Sequence, residues 1–233
     1  AGGTAVSNTD GSINSQVSAN QDAGFSVVSY TASSSASTIG HGLGTAPAMI
    51  IQKNRDASSS WGVYHQSIGA NEFLSLNSSA AATTSSIPGD DTRPTSYVFS
   101  IGTGYTKGNK YIAYCFAEVE GYSKVGSYTG NGSADGTFVH CGFRPAWIMV
   151  KRTNSTGNWP IFDNQRKIKD VYEEYKSEVY NVFVIGTDHI FNIKDGKIYG
   201  NVDDHRYNKI IAVAFVGNNN IDNLPNIVLS NEE

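Results

Sequence analysis

The chain has 233 residues, of which 16% are charged, and its formal net charge is −4. Because no stretch is rich in lysine and arginine, the sequence argues against nucleic-acid binding, which needs clustered cations to neutralise phosphates. The longest apolar run lies within residues 111–119. It is far shorter than the roughly 20 residues of a membrane-spanning helix, which argues against insertion into a membrane.

Residues 1–23 are small and polar, and they include a strong turn signal at Asn8-Thr9-Asp10-Gly11. Such a segment lacks the apolar side chains for a core of its own. We therefore expect a linker, or a strand that becomes ordered by wrapping neighbouring chains. The first residues have neither the basic start nor the apolar core of a secretory signal, so we expect them to continue a longer polypeptide.

From Phe25 onward, short alternating segments predict β-strands. Residues 25–30 alternate as a half-buried strand, and residues 48–53 carry apolar side chains on both faces, which indicates a strand in the middle of a sheet. Residues 61–65 follow as the second strand of a hairpin, and residues 97–101 and 111–119 complete the first set. With 24 glycines and many Ser, Thr and Asn residues in between, the composition is typical of an all-β protein.

The strand and hairpin that begin at Pro47 occur a second time, beginning at Pro145. At a constant shift of 98 residues, the identical pairs are Pro47/Pro145, Ala48/Ala146, Ile50/Ile148, Lys53/Lys151 and Trp61/Trp159. Residues 109–116 and 208–215 also match, at a shift of 99. A period near 100 residues is the size of a domain and is too long for a solenoid repeat. The sequence therefore predicts two tandem homologous β-sandwich domains, residues 24–120 and 124–218, followed by a tail, residues 219–233.

Residue types that could carry chemistry occur without the spacing that the chemistry needs. The five histidines, at positions 41, 65, 140, 189 and 205, form no metal-binding pattern, and there is no Gly-x-Ser-x-Gly nucleophile motif. We therefore predict no catalytic residue, no metal site and no cofactor. Cys115 and Cys141 show no pairing pattern, so the sequence leaves open two reduced thiols, which we favour, and one disulfide.

The 13 tyrosines and three tryptophans exceed what two small cores need. Exposed Tyr and Trp rings suit sugars, because they stack on the apolar faces of sugar rings and donate hydrogen bonds from their polar ends. Trp61 and Trp159 occupy equivalent positions, which favours a shared role in the core. Residues particular to the second half are better candidates for binding carbohydrate, and these are Trp147, Arg166, Tyr172, Tyr175, Tyr180 and Tyr199.

Four segments carry a family resemblance: residues 23–30 (AGFSVVSY), 40–47 (GHGLGTAP), 111–123 (YIAYCFAEVEGYS) and 126–136 (GSYTGNGSADG). Together they resemble a module of tail-fibre and related virion proteins of tailed bacteriophages, over roughly residues 9–164. The resemblance implies a carboxy-terminal receptor-binding fragment of an elongated homotrimeric fibre. Such a fibre is made in the host cytoplasm and acts outside the cell as part of the virion. It would join the rest of the phage tail through its amino-terminal end and bind host polysaccharide, either capsule or lipopolysaccharide.

Residues and resemblance together predict a non-catalytic tail-fibre adhesin that recognises host surface polysaccharide during phage adsorption. Two alternatives stay open. One is a capsule depolymerase or esterase carried on the tail, although the repeats of about 20–25 residues that build a long β-helix are not found in the sequence. The other is a structural or capsid-decorating virion protein.

Overall fold

A computed structural model describes residues 3–84, 91–133 and 136–164, together with the backbone of strands at 181–184, 190–194, 197–201 and 210–215. In this part of the chain every regular element is a β-strand, and the strand ladders are antiparallel. The prediction of an all-β protein is thereby confirmed. None of these residues lies in a helix long and apolar enough to cross a membrane. The chain divides into two compact units, residues 1–126 and 127–233.

The first unit contains strands β1 (Val6–Asn8), β2 (Ser15–Asn20), β3 (Phe25–Thr31), β4 (Ser37–Gly40), β5 (Met49–Asn54), β6 (Gly62–His65), β7 (Glu72–Ser75), β8 (Thr83–Thr84), β9 (Val98–Ile101) and β10 (Lys110–Phe116). Strand β11 (Ser123–Tyr128) spans the boundary between the units. The second unit contains β12 (Trp147–Arg152), β13 (Ile161–Asp163), β14 (Asn181–Val184), β15 (Ile190–Lys194), β16 (Lys197–Asn201) and β17 (Ile210–Phe215).

In the first unit, a long sheet with the order β1-β2-β3-β10-β5-β6-β7-β8 packs with a small sheet of β4 and β9. β5 lies between β10 and β6, so it is a central strand, as its apolar residues on both faces predict. The core lies between the two sheets, an arrangement consistent with a β-sandwich. Its buried residues include Val17, Val28, Tyr30, Ile39, Ile50, Phe99, Ile101, Tyr105, Tyr111, Ala113 and Cys115.

Two polar side chains of β5 connect the tyrosines of this core. The Oε1 atom of Gln52 accepts hydrogen bonds from the hydroxyls of Tyr30, at 2.8 Å, and Tyr105, at 2.7 Å. The Nδ2 atom of Asn54 donates to the Tyr111 hydroxyl at 3.0 Å. All five side chains are buried, so these bonds replace hydrogen bonds that the same groups make with water in the unfolded chain.

Residues 3–23, for which the sequence predicts a linker or an interchain segment, add two strands to the long sheet of the first unit. β1 pairs with β2, and β2 pairs with β3 along its whole length within the same chain. Ser15 and Val17 are buried, and the Ser15 hydroxyl donates to the carbonyl of Gly40 at 2.9 Å. Small side chains suffice here because the segment extends an existing sheet and core and does not have to build its own.

The turn between β1 and β2 docks on β4 through a glycine. The backbone N–H groups of Ser12 and Thr38 each donate to the other residue's hydroxyl, both at 2.9 Å. A Cβ atom added at Gly11 would clash with the backbone carbonyl of Thr38. Gly11 therefore permits an approach that any larger residue obstructs.

We expect the substitution Gly11→Ala to lower the free energy of unfolding by about 1–3 kcal/mol, because the backbone of β4 has to shift to make room. Gly62→Ala is the matched control, since a Cβ atom there meets nothing within 4 Å. Urea unfolding of both variants measures the difference. Equal stability of the two would contradict the docking of this turn on β4.

The second unit repeats the order of the central strands of the first. Its strands β17, β12 and β13 are neighbours in that order, which matches β10, β5 and β6, and β14, β15 and β16 form a separate sheet. The registers also agree at the shifts of 98 and 99 residues. The pair Met49–Phe116 corresponds to Trp147–Phe215, and the pair Ile50–Tyr64 corresponds to Ile148–Phe162.

A loop contact is repeated as well. The Nζ atom of Lys53 donates to the carbonyl of Ser59 at 2.8 Å, and the Nζ atom of Lys151 donates to the carbonyl of Gly157 at 2.7 Å. In both units a lysine thus forms a hydrogen bond to the loop that joins the two strands of the repeated hairpin.

Candidate functional site

One side of the long sheet in the first unit carries a half-buried apolar strip. Alternate residues of β3, β5 and β10 are buried in the core, and the residues between them lie on the opposite side of the sheet. We call this side the outer face. Its partly exposed aromatic and aliphatic residues are Phe25, Val27, Ile51, Trp61, Ile112, Tyr114 and Phe116, whereas Met49 and Val63, which the register places on the same side, are buried.

Trp61 and Tyr114 stack on the outer face, with ring centroids 6.4 Å apart and ring planes at 24°. Tyr114 lies opposite Ile51 of β5, and the indole reaches across that strand to the phenol. The backbone N–H of Trp61 donates to the Oδ1 atom of Asn77 at 3.0 Å, and the Trp61 carbonyl accepts from the backbone N–H of Leu76 at 2.9 Å. These two bonds fix the main chain at Trp61, and the rings of Trp61 and Tyr114 stack without a ligand.

Phe25 and Phe116 extend the aromatic surface toward the other end of the strands. They are directly opposite each other in the β3–β10 pair, and their ring centroids are 5.0 Å apart. This end of the outer face therefore carries a pair of apolar rings, whereas the end beside Trp61 also carries positive charge.

At the end of the outer face beside Trp61 lie three cations, Lys53, Arg55 and Lys110, which we call the cation row. Alternation along β5 and β10 puts Lys53 and Lys110 on the side of the sheet that carries Tyr114, and Arg55 directly follows the last residue of β5. The Arg55 N–H donates to the Lys110 carbonyl at 2.8 Å, so the pairing of these two chain segments continues up to the cations.

The cation row is surrounded by neutral groups and one carboxylate. The Nζ atom of Lys53 donates to the carbonyl of Ser59 at 2.8 Å and to its hydroxyl at 3.2 Å. The Oδ2 atom of Asp56 accepts from the backbone N–H of Lys110 at 2.6 Å. Within residues 3–84, 91–133 and 136–164, none of the three cations forms an ion pair with a carboxylate.

The residues predicted from the sequence to bind carbohydrate lie elsewhere. Trp147 is half-buried at the start of β12, opposite Asp163 of β13 and Phe215 of β17. Tyr199 belongs to β16, of which only the backbone is described. Residues Arg166, Tyr172, Tyr175 and Tyr180 lie outside the described residues.

The position equivalent to Lys53 has different electrostatics in the second unit. Lys151 is buried in β12, and its Nζ atom lies 5.9 Å from the ring centroid of Trp159, the counterpart of Trp61. Burial, together with the charge of Arg152, lowers the pKa of Lys151 to about 8. This amine is enclosed by the protein, whereas Lys53 is partly exposed on the outer face.

Groups that could ligate a metal serve the fold instead. Among the residues that the structure describes, no three His, Cys, Asp or Glu side chains lie close enough to hold an ion. His41 and His65 are buried, and the Nδ1 atom of each accepts a backbone N–H, from Leu43 at 3.2 Å and from Ser67 at 3.1 Å. Burial lowers the pKa of His41, which favours the neutral ring that this bond requires.

Sequence reasoning missed the outer face. It expects Trp61 to serve the core, but Trp61 is not a member of the core cluster and lies half-buried on the other side of the sheet. The register of the hairpin could have indicated part of this face, because Gln52 pairs with Gly62 and Lys53 is therefore opposite Trp61. The contribution of Lys110 has no such signal, because it depends on the pairing of β5 with the distant strand β10.

Comparison with known proteins adds a family but no activity. Residues 1–190 match the model of a domain of unknown function (DUF7483). No curated protein and no solved structure matches the chain.

Proposed function

The chain belongs to the DUF7483 family, and we propose that it is a non-catalytic tail-fibre adhesin of a phage virion that binds host surface polysaccharide. The observation that carries this proposal is the stacked pair of Trp61 and Tyr114 on the outer face. The resemblance of four segments to phage tail-fibre modules supports the setting in a virion.

The aromatic pair suits a saccharide for a physical reason. The carbon-bound hydrogens of a pyranose form apolar patches, and partly exposed Trp and Tyr rings stack against such patches while their polar ends make hydrogen bonds. Rings that already stack on a sheet lose little freedom when a ligand binds, so more of the contact energy appears as affinity.

We further propose that the two units are tandem copies of one β-sandwich. Support comes from the shared strand order, the shared registers and the lysine-to-carbonyl contact that both hairpin loops make. One copy then offers the partly exposed Lys53, and the other has the enclosed Lys151. Duplication followed by divergence would leave each copy free to keep or lose a binding surface.

The protein would act as a homotrimer, so that weak contacts add up. Individual lectin-like contacts are weak, and three linked copies raise the apparent affinity by bringing further sites close to the same polymer. Light scattering of the purified protein gives the mass in solution. A value of 25.0 kDa, the mass of one chain, would contradict the trimer.

The test of binding is an array of purified bacterial capsular polysaccharides and lipopolysaccharides. We expect the protein to bind at least one of them, and we expect Trp61→Ala and Tyr114→Ala each to weaken that binding about 30-fold, as truncation of a central aromatic residue does. Tyr97→Ala is the matched control, because Tyr97 is an exposed aromatic residue in the loop before β9. Binding that survives both outer-face variants would contradict this site.

The same preparations distinguish an adhesin from an enzyme. Incubation with a bound polysaccharide, followed by measurement of new reducing ends and of released acetate, detects a depolymerase or an esterase. We expect neither product. Cleavage of the polymer would overturn the non-catalytic proposal, and a lack of binding to every polymer would favour a structural virion protein.

A further inference from the structure

We propose that the outer face selects acidic polysaccharides, those that carry carboxylate or phosphate groups, and that the cation row of Lys53, Arg55 and Lys110 provides this selectivity. The inference rests on the proposed function and adds the chemical class of its ligand. It goes beyond the aromatic pair, which by itself would accept a neutral sugar equally well.

The cation row lies next to the aromatic pair of Trp61 and Tyr114. Residues two apart on one strand lie about 7 Å from each other on the same side of a sheet, and residues opposite each other on paired strands lie about 5 Å apart. Lys53 is one such step from Ile51, the residue opposite Tyr114, and Lys110 is one step from Ile112. The cation row therefore begins at the edge of the aromatic pair.

The end of the outer face that carries the cation row is locally positive. Lys53, Arg55 and Lys110 contribute three positive charges and Asp56 one negative charge, which leaves two positive charges in excess at this end of the outer face. The whole chain has a net charge of −4, so this end has the opposite sign to the molecule as a whole. The local positive charge attracts an anion to this end of the outer face, whereas the net negative charge of the rest of the chain repels it.

The cationic side chains of the cation row are not paired with the nearby carboxylate. The Lys53 amine donates to the two oxygens of Ser59, which are neutral. The carboxylate of Asp56 accepts the backbone N–H of Lys110 and does not form an ion pair with its amine. The three cationic side chains are therefore available for charge-assisted bonds to a ligand, and an arginine can hold a carboxylate or a phosphate through two parallel bonds.

Stacking and charge are compatible in one pose. The carboxylate of a uronic acid, or a phosphate ester, projects from the edge of the sugar ring, while stacking uses the face of the ring. A sugar seated on Trp61 and Tyr114 thus presents an acidic group sideways, toward the cation row. A neutral hexose in the same pose leaves the cation row facing water.

The experiment compares acidic bacterial polysaccharides with chemically neutralised forms of the same polymers. Uronic acid polymers are used before and after reduction of the carboxyl groups to primary alcohols, and phosphate-containing polymers before and after removal of phosphate. These two arms tell which acidic group is read. We expect binding to an acidic form that falls at least about tenfold on neutralisation and weakens when salt is raised to shorten the screening length.

Variants of the full chain assign the effect to residues. Arg55→Gln and Lys110→Gln are each expected to weaken binding to the acidic form about fivefold and to leave binding to the neutral form unchanged. Lys53→Met is the third variant, and because Lys53 also braces a loop, its stability is measured alongside. Lys124→Gln is the control of equal charge, since Lys124 lies on β11 in an ion pair with Glu118.

The outcomes separate this inference from the proposed function. Equal binding of acidic and neutralised polymers, with a loss in the Trp61 variant, would overturn the acidic selectivity and keep the adhesin. Loss of binding in Lys124→Gln as large as in Arg55→Gln would also overturn it, because net charge alone would then explain the effect. If a single-stranded oligonucleotide binds with the same affinity as the acidic polysaccharide, the protein binds polyanions in general and does not recognise a saccharide. A lack of binding to any form would overturn the proposed function itself.

Discussion

Replacing Gln52 by leucine is expected to lower the free energy of unfolding of the first unit by about 2–6 kcal/mol. The Oε1 atom of Gln52 is the acceptor for two buried phenols, those of Tyr30 and Tyr105. Burial raises the pKa of both tyrosines, so their hydroxyls stay protonated and must donate. Leucine has nearly the volume of glutamine but no acceptor. Each of the two hydroxyls then loses its bond to Gln52, at a cost of roughly 1–3 kcal/mol per group.

The partners of Gln52 provide the control for this prediction. In a chain that already carries Tyr30→Phe and Tyr105→Phe, the same Gln52→Leu change leaves no hydroxyl without an acceptor and should cost much less. Urea unfolding of the four chains gives the coupling energy between Gln52 and the two phenols. An equal cost of Gln52→Leu in both backgrounds would show that the bonds contribute nothing to stability.

The thiol of Cys115 is expected to react with a disulfide reagent at least about 1,000-fold more slowly in the folded protein than in urea. Cys115 is fully buried on the core side of β10, and no disulfide joins it to Cys141. Burial raises the pKa of the Cys115 thiol to about 12. At pH 8 only about one thiol in 10,000 is then ionised, whereas roughly a quarter is ionised at an ordinary pKa of 8.5.

This measurement requires a chain with Cys141→Ser, in which Cys115 is the remaining cysteine. Because the rate then follows the opening of the core, it should rise with urea in parallel with unfolding followed by fluorescence. Labelling of the folded chain within about tenfold of the unfolded rate would mean that β10 does not lie in the core.

Much of the fold could be predicted from local sequence patterns. The residues of β5 alternate with apolar side chains on both faces, and this correctly predicts a strand flanked on both sides. Residues 1–23 mislead because stability here comes from long-range pairing: Ser15 and Val17 are too small to indicate a core, yet β3 and β4 already supply one. Propensity and periodicity depend on the residues of one segment, and they carry no information about the surface on which that segment packs.

The candidate site shows the same limit more strongly. The hairpin register brings Lys53 opposite Trp61 and can be read from neighbouring residues. Tyr114 and Lys110 reach the outer face only because β10 inserts between β3 and β5, and nothing local in the sequence states this order. The aromatic residues of the second half look more prominent in the sequence because they are clustered, and clustering along a chain does not measure proximity in space.

The two ends of the long sheet bear on how the protein behaves at high concentration. Its outermost strands are β1, with three residues, and β8, with only the two exposed residues Thr83 and Thr84. A free edge invites another chain to add a strand, and short polar edges give such an intruder few backbone groups to hold. The short edges therefore lower the tendency of neighbouring copies to add strands to this sheet when the protein is concentrated.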